Sequence, residues 1–216
     1  MKRSGKMVLL FLLLLGLVSC KAEEKVSEEK QNVKIEDDEE RKRLVVYFSC
    51  VGEQYEVGVI EKGNTAIVAE MIQENTGADT FEIRPSDREY PLTYDALTDV
   101  AKREQNENVR PAYHKEEMPD LNGYDVIYIG APVWWGDWPM IMYTFFEENK
   151  DVLNTKTLVP FSTHGGSGLS GFDRKLAGVC KDASILEGLA IAGRDAQNDQ
   201  DSVKNKVSEW LERING

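Results

Sequence analysis

Apolar positions along this chain switch between two rhythms, and the switches mark its elements. "RLVVYFS" (residues 43–49) is a continuous apolar, β-branched run, the pattern of a strand buried on both faces. From residue 64 to 75, Ile67, Val68, Met71 and Ile72 recur at helical spacing, and Gly77 supplies a stop. "DTFEIRP" predicts a second, short strand, and "YPLTYDALTDVAKREQNEN" turns helical after its Pro and Thr. "YDVIYIGAP" is a third strand, apolar throughout, and "DWPMIMYTFFEENKDVL" a helix with Pro near its first turn. "KTLVPFSTH" predicts strand four, "SGFDRKLAGVC" a helix, and "SILEGLAIAG" a fifth strand that Gly188 can break. In "DSVKNKVSEWLERI" the residues Val203, Val207, Trp210, Leu211 and Ile214 share one face of a last helix.

Strand and helix thus alternate five times. That order implies an α/β fold with a parallel sheet covered by helices on both sides. In such sheets ligands bind beyond the C-terminal strand ends, where the winding direction reverses. The loops after strands one, three and four are therefore expected to carry the chemistry.

The first of these is long. Ser49 ends the strand, yet Gly63-Asn64-Thr65 opens the helix only after thirteen intervening residues, the insertion "CVGEQYEVGVIEK". Short hydroxyl and amide side chains beside the free N–H groups of a helix N-terminus suit a phosphate, or else simply cap the helix. Gly52-Glu53-Gln54 is the rival phosphate turn, disfavoured by placing Glu53 at an anion site. Tyr55, mid-insertion, either reaches over a ligand or anchors packing. After strand three comes "GAPVWWGDWP". Trp138, next to Pro139, is expected to pack the helix start, while Trp134 and Trp135 stand where a planar ligand can stack on an indole. The loop after strand four, "STHGGSGLSG", has glycines that let backbone approach a ligand closely. It matches G-x-G-x-x-G, but only one strand and one helix follow, too few for a dinucleotide unit. A hydrolase is disfavoured because the chain has no G-x-S-x-G elbow, and a P-loop nucleotidase because it has no Walker sequence.

Composition adds limits. The formal net charge of −12 disfavours a nucleic-acid partner. No Cys/His spacing points to a metal site. Cys50 and Cys180 are too few for a disulfide framework and read as small buried apolar residues. The N-terminus is distinct: "MKRSGK" precedes the apolar run "MVLLFLLLLGLV", which ends in Leu17-Val18-Ser19-Cys20. This resembles the lipobox of bacterial lipoproteins. It implies a signal peptide over residues 1–19, lipidation of Cys20, and a place in the cell envelope on the extracytoplasmic side of a bacterial membrane. Residues 20–42, lacking aromatics and rich in charge, read as a lipidated flexible tether ahead of a domain over 43–216.

Taken together, "VVYFS…GNTAIVAEMI", "YDVIYIGAPVWWG" and "PFSTHGGSG" resemble the three flavin-binding segments of the flavodoxin family, in order. The resemblance covers about residues 43–216. It implies a five-stranded parallel sheet of order 2-1-3-4-5 in a three-layer sandwich, with FMN bound non-covalently. By position, Ser49, Asn64 and Thr65 would hold the FMN phosphate. Pro132, Val133, Trp134 and Trp135 would lie against the isoalloxazine, and Thr163, His164, Gly165 and Gly166 would meet its pyrimidine side. The family often has an aromatic residue in that last loop, where this chain has a His and glycines. The implied activity is electron carriage between redox partners, which the acidic surface would steer toward basic faces. The alternative is an NAD(P)H- or quinone-linked FMN oxidoreductase on the same fold.

Overall fold

The computed structural model describes residues 41–215. The signal peptide, Cys20 and nearly all of the expected tether lie outside the described residues. Lys42, the last tether position, is already tied to the domain, since its N–H donates to an Asp125 carboxylate oxygen 3.1 Å away.

The central strand β1 (Arg43–Tyr47) buries Leu44, Val45 and Val46 completely, as its apolar run requires. It is flanked by β4 (Asp79–Glu82) and β5 (Val126–Pro132), both parallel to it. Next to β5 lies β6 (Thr157–His164), also parallel. The fifth strand comes in two pieces, β7 (Ser184–Ile185) and β8 (Leu189–Ala192), both parallel to β6. The order β4-β1-β5-β6-β7 is the expected 2-1-3-4-5, with strand five broken as Gly188 allows.

Two apolar layers sandwich the sheet, and the pleat divides them. Val45, Tyr128 and Val159 point to one side. There they pack on α1 (Asn64–Thr76), α6 (Gly193–Asn198) and α7 (Gln200–Asn215) through Ile67, Val68, Ala196, Val203 and Trp210. Leu44, Val46, Ile127 and Ile129 point to the other. They meet Ile141 and Phe145 of α3 (Met140–Glu148), Leu153 of α4 (Lys150–Leu153) and Leu176 of α5 (Phe172–Val179). Alternating neighbours on each strand feed opposite cores, so a one-residue register slip would send each set into the wrong core. The remaining helix, α2 (Tyr94–Glu107), buries Leu97 and Ala101. Cys180 is fully buried, Cys50 is half-buried, and both are free thiols.

The insertion is ordered. It forms a separate antiparallel hairpin, β2 (Gly52–Gln54) and β3 (Gly58–Ile60), with Glu53 opposite Val59. Glu56, in its tip, takes a left-handed φ of 57°. Ile60 is buried and fastens one face of the hairpin to the domain. At its base the Glu53 N–H donates to the Leu92 carbonyl (2.7 Å), and its carboxylate accepts the first N–H of α2, from Tyr94, at 3.0 Å. The rival phosphate turn at residues 52–54 is therefore a strand.

Candidate functional site

A cleft of about 370 Å³ opens at the C-terminal edge of the sheet, where the chain winds one way from β1 to β4 and then back to β5. Its walls come from the hairpin, the start of α1, α2, and the loops after β5 and β6.

The α1 end is built by close approach. Gly63 precedes the helix, and a Cβ there would sit 2.1 Å from Ser49 Oγ and 2.6 Å from the Cys50 carbonyl. Only glycine lets strand-one chain and helix start come so near. The consequence is a cap supplied from a distance: Ser49 Oγ accepts the Ala66 N–H at 3.1 Å, and Asn64 and Thr65 form no side-chain cap of their own. Asn64 faces the cleft, and its Oδ1 accepts from Gln197 of α6 at 2.8 Å. The Thr65 hydroxyl points inward and bonds the Thr163 hydroxyl at 2.8 Å, with both residues buried. That buried pair ties helix start to the end of β6, and leaves backbone N–H groups as the donors at the cleft's α1 end.

The β5 loop is a tight reversal. The Trp134 and Asp137 backbones exchange both hydrogen bonds at 3.0 Å, while Trp135 (φ 51°) and Gly136 (φ 73°) occupy the centre. Two positive φ values at the centre identify a type I′ turn, whose usual residues are Asn-Gly. A tryptophan at the first position is strained, and the turn thrusts its side chain outward: Trp135 is 54% exposed. Its indole N–H donates to the Thr98 carbonyl on α2 at 2.9 Å, and the Lys102 ammonium lies 4.9 Å from the ring. Trp134 is boxed edge-on by Phe48 (5.4 Å between centroids) and Tyr90 (5.0 Å). Trp138 is core, stacked on Phe172 at 3.6 Å.

Behind Trp134 lies a buried polar chain. The Tyr90 hydroxyl donates to Glu104 (3.1 Å), and Arg88 donates to the other Glu104 oxygen (2.8 Å). Burial pushes the Glu104 carboxyl above its usual range, with Arg88 and Tyr90 pulling the other way. Burial likewise raises the Tyr90 phenol and the Cys50 thiol. These groups stiffen the aromatic wall rather than enter the cleft.

The opposite wall belongs to the hairpin. Tyr55 pairs with Tyr94 at 5.8 Å, and its ring lies so close to Gly165 that a Cβ there would stand 2.6 Å from Cδ1. Neither Tyr94 nor Gln54 was expected at the site. Only the two tyrosines of "YPLTY" hinted at Tyr94, because helix and hairpin meet through two hydrogen bonds of Glu53 that no spacing encodes. Among the expected residues, Asn64, Pro132, Val133, Trp134, Trp135, Thr163, His164 and Gly165 are brought together around the cleft. Ser49 and Thr65 stand behind its α1 end. Gly166 lines a smaller neighbouring cavity, and its N–H is taken by His164 Nδ1 at 2.9 Å.

The charge distribution is the most informative property. The chain carries 38 Asp and Glu, yet among the described residues no carboxylate, lysine or arginine lines the cleft. Aromatic plates, amide and hydroxyl groups and bare backbone remain. Such a lining accepts a planar ring with polar edges.

The flavodoxin family model matches residues 42–214. Among solved structures, a candidate flavoprotein from Bacteroides eggerthii is 30% identical, over 80% of this chain and 97% of that one, with a TM-score of 0.61. Another from Bacteroides uniformis is 27% identical over 78% and 98% of the two chains, TM-score 0.59. A flavoprotein from Lactobacillus acidophilus, solved in complex with FMN, shares the fold at 22% identity, covering 75% of this chain and 99% of its own, TM-score 0.56. No curated protein matches. The family match spans nearly every described residue and agrees with the sheet order and the placement of the three loops, so the chain belongs to the flavodoxin family.

Proposed function

We propose that this protein binds FMN in the cleft and carries electrons between redox partners, held at a bacterial membrane by lipid on Cys20. The observation that carries the cofactor assignment is the cleft itself: aromatic walls and uncharged polar edges in a strongly acidic chain, ending at a helix N-terminus. The residues fit the group. Free N–H groups at the start of α1, with Asn64, suit a phosphate without needing a cation. Trp135 and Tyr55, held from α2 and the hairpin, suit the faces of a planar ring. The Lactobacillus acidophilus relative in fold, with FMN bound, supports the same choice.

When bound, FMN supplies the one- and two-electron chemistry. The chain's own part is to bind, orient and tune. Trp134 is immobilised by Phe48 and Tyr90, so the wall it forms needs little reorganisation on binding. The surrounding acidity disfavours added negative charge in the cleft, which lowers the potential at which the last electron enters.

Carriage is favoured over a reductase with its own small substrate by the cleft's rim. The large hydrophobics exposed among the described residues are Val51, Tyr55, Val59, Leu92 and Trp135. They belong to the hairpin segment, to Leu92 at its base, and to the Trp135 turn. Of these, Tyr55 and Trp135 line the cleft, and exposed apolar side chains at a site suit another protein that covers them transiently. The membrane tether rests on the lipobox sequence alone.

Titration with FMN, followed by flavin fluorescence, tests the assignment. Saturable quenching that weakens in Trp135→Ala and in Trp134→Ala is expected. Unchanged affinity in both variants contradicts the reading.

A further inference from the structure

His164 ends β6 and lines both the cleft and the smaller cavity of about 130 Å³ beside it. Its Nδ1 lies 2.9 Å from the Gly166 backbone nitrogen. A backbone N–H can only donate, so Nδ1 is the acceptor and carries the lone pair. The single proton of the neutral ring is then on Nε2. The bond closes a turn made of two glycines, which have little conformational preference of their own, with Gly166 at a φ of 123°. Gly165 sits directly beneath the Tyr55 ring. One imidazole nitrogen therefore fixes the floor on which the hairpin wall rests.

We propose that His164 is a proton-linked positioning residue: neutral, it pins the Gly165–Gly166 turn and keeps the cleft in its binding shape; protonated, it releases the turn and weakens ligand binding. Protonation places a hydrogen on Nδ1, facing the Gly166 N–H, so acceptor becomes donor and the bond is lost. The charged groups around the ring come from two elements. Glu56 approaches from the hairpin, beside Tyr55, and Arg194 and Asp195 from α6. Burial depresses the imidazole below its ordinary value, and Asp195 opposes this. Asp195 is itself shared with Arg194 (3.5 Å) and Lys206 (3.3 Å), which tempers its pull. The sign follows: a ligand that needs the pinned turn selects neutral His164, so affinity is full above the imidazole pKa and falls as pH drops through it.

This deepens the proposed function and rests on it only for the identity of the ligand. The chain has two histidines, so both imidazoles can be followed by NMR in the full-length protein without flavin. His164 is expected as the Nε2–H tautomer, titrating below the ordinary imidazole value, with the Gly166 amide shifting at the same midpoint. An Nδ1–H tautomer, or a Gly166 amide indifferent to that titration, overturns the proposal. Affinities for FMN and riboflavin are then measured between about pH 5 and pH 8. Riboflavin lacks the phosphate, whose own second pKa near about 6 would otherwise confuse the profile. Both affinities are expected to fall roughly tenfold per pH unit below the His164 midpoint. His164→Asn keeps an acceptor that does not titrate, and is expected to bind with a flat pH profile whatever its absolute affinity. His164→Ala is expected to be weak and flat. A fall confined to FMN, or one that persists in His164→Asn, contradicts the proposal. If neither flavin binds at any pH, the proposed function fails while the imidazole titration still decides the switch.

Discussion

Two residues show how local compromise builds this site. Trp135 occupies the first central position of a type I′ turn, a left-handed conformation that costs a non-glycine residue about 1–2 kcal/mol. The strain is tolerated because the indole is anchored on Thr98. Trp135→Gly removes both the strain and the anchor, so its folding stability is expected to stay within about 1 kcal/mol of wild type. FMN affinity should nevertheless drop at least tenfold, since a stacking face is gone. Urea unfolding and flavin titration on the same preparation separate the two effects. The Thr65–Thr163 hydroxyl pair makes the opposite point. Thr65→Val alone strands a buried hydroxyl and is expected to cost about 1–3 kcal/mol, whereas Thr65→Val with Thr163→Val should be nearly neutral, measurable as a double-mutant cycle. The sequence reading placed Thr65 correctly at the helix start and assigned its hydroxyl to a ligand. Which way a first-turn side chain faces depends on the strand beside it, and Thr163 lies 98 residues away.

Among the elements, the regular ones were legible and the inserted one was not. Continuous β-branched runs and helical spacing revealed β1, β5, β6, α1 and α7, because buried parallel strands and amphipathic helices write their burial into the chain. The β2–β3 hairpin wrote almost nothing: each strand has three residues, each includes a glycine, and one apolar residue, Ile60, is buried. Its position comes instead from Glu53, whose carboxylate receives the first N–H of α2. Glu53→Ala should cost about 1 kcal/mol as a lost cap. It should also let the hairpin move, accelerating flavin release in stopped-flow displacement more than it lowers thermal stability. An unchanged release rate would mean that the hairpin borders the cleft without helping to close it.

Across the whole molecule, charge separates from chemistry. The chain is strongly acidic, yet among the described residues no carboxylate lines the cleft. The two carboxyls that burial raises, Glu82 and Glu104, bind protons more readily folded than unfolded. Such groups add stability that is fully present below the ordinary carboxylate range and is lost as pH rises through their folded values. The self-repulsion of a net charge of −12 grows in the same direction. Thermal stability should therefore be higher on the mildly acidic side than at neutral pH and above. Glu104→Gln, scanned by calorimetry across that range, should flatten part of the slope. Element alternation implied the parallel sheet, the family resemblance supplied its strand order, and the loops after strands one, three and four do meet at one sheet edge. The hairpin wall was not legible because it depends on one or two contacts between distant segments, and the His164 bond because it is a local side-chain contact within a glycine turn that no pattern encodes.

The most direct measurement is the absorption spectrum of the purified full-length protein, before and after denaturation, with reconstitution by added FMN. The account predicts a yellow protein with flavin bands near about one equivalent, released as FMN on unfolding, and an FMN-free form that takes it back with quenched fluorescence. A colourless protein that ignores added FMN would contradict it.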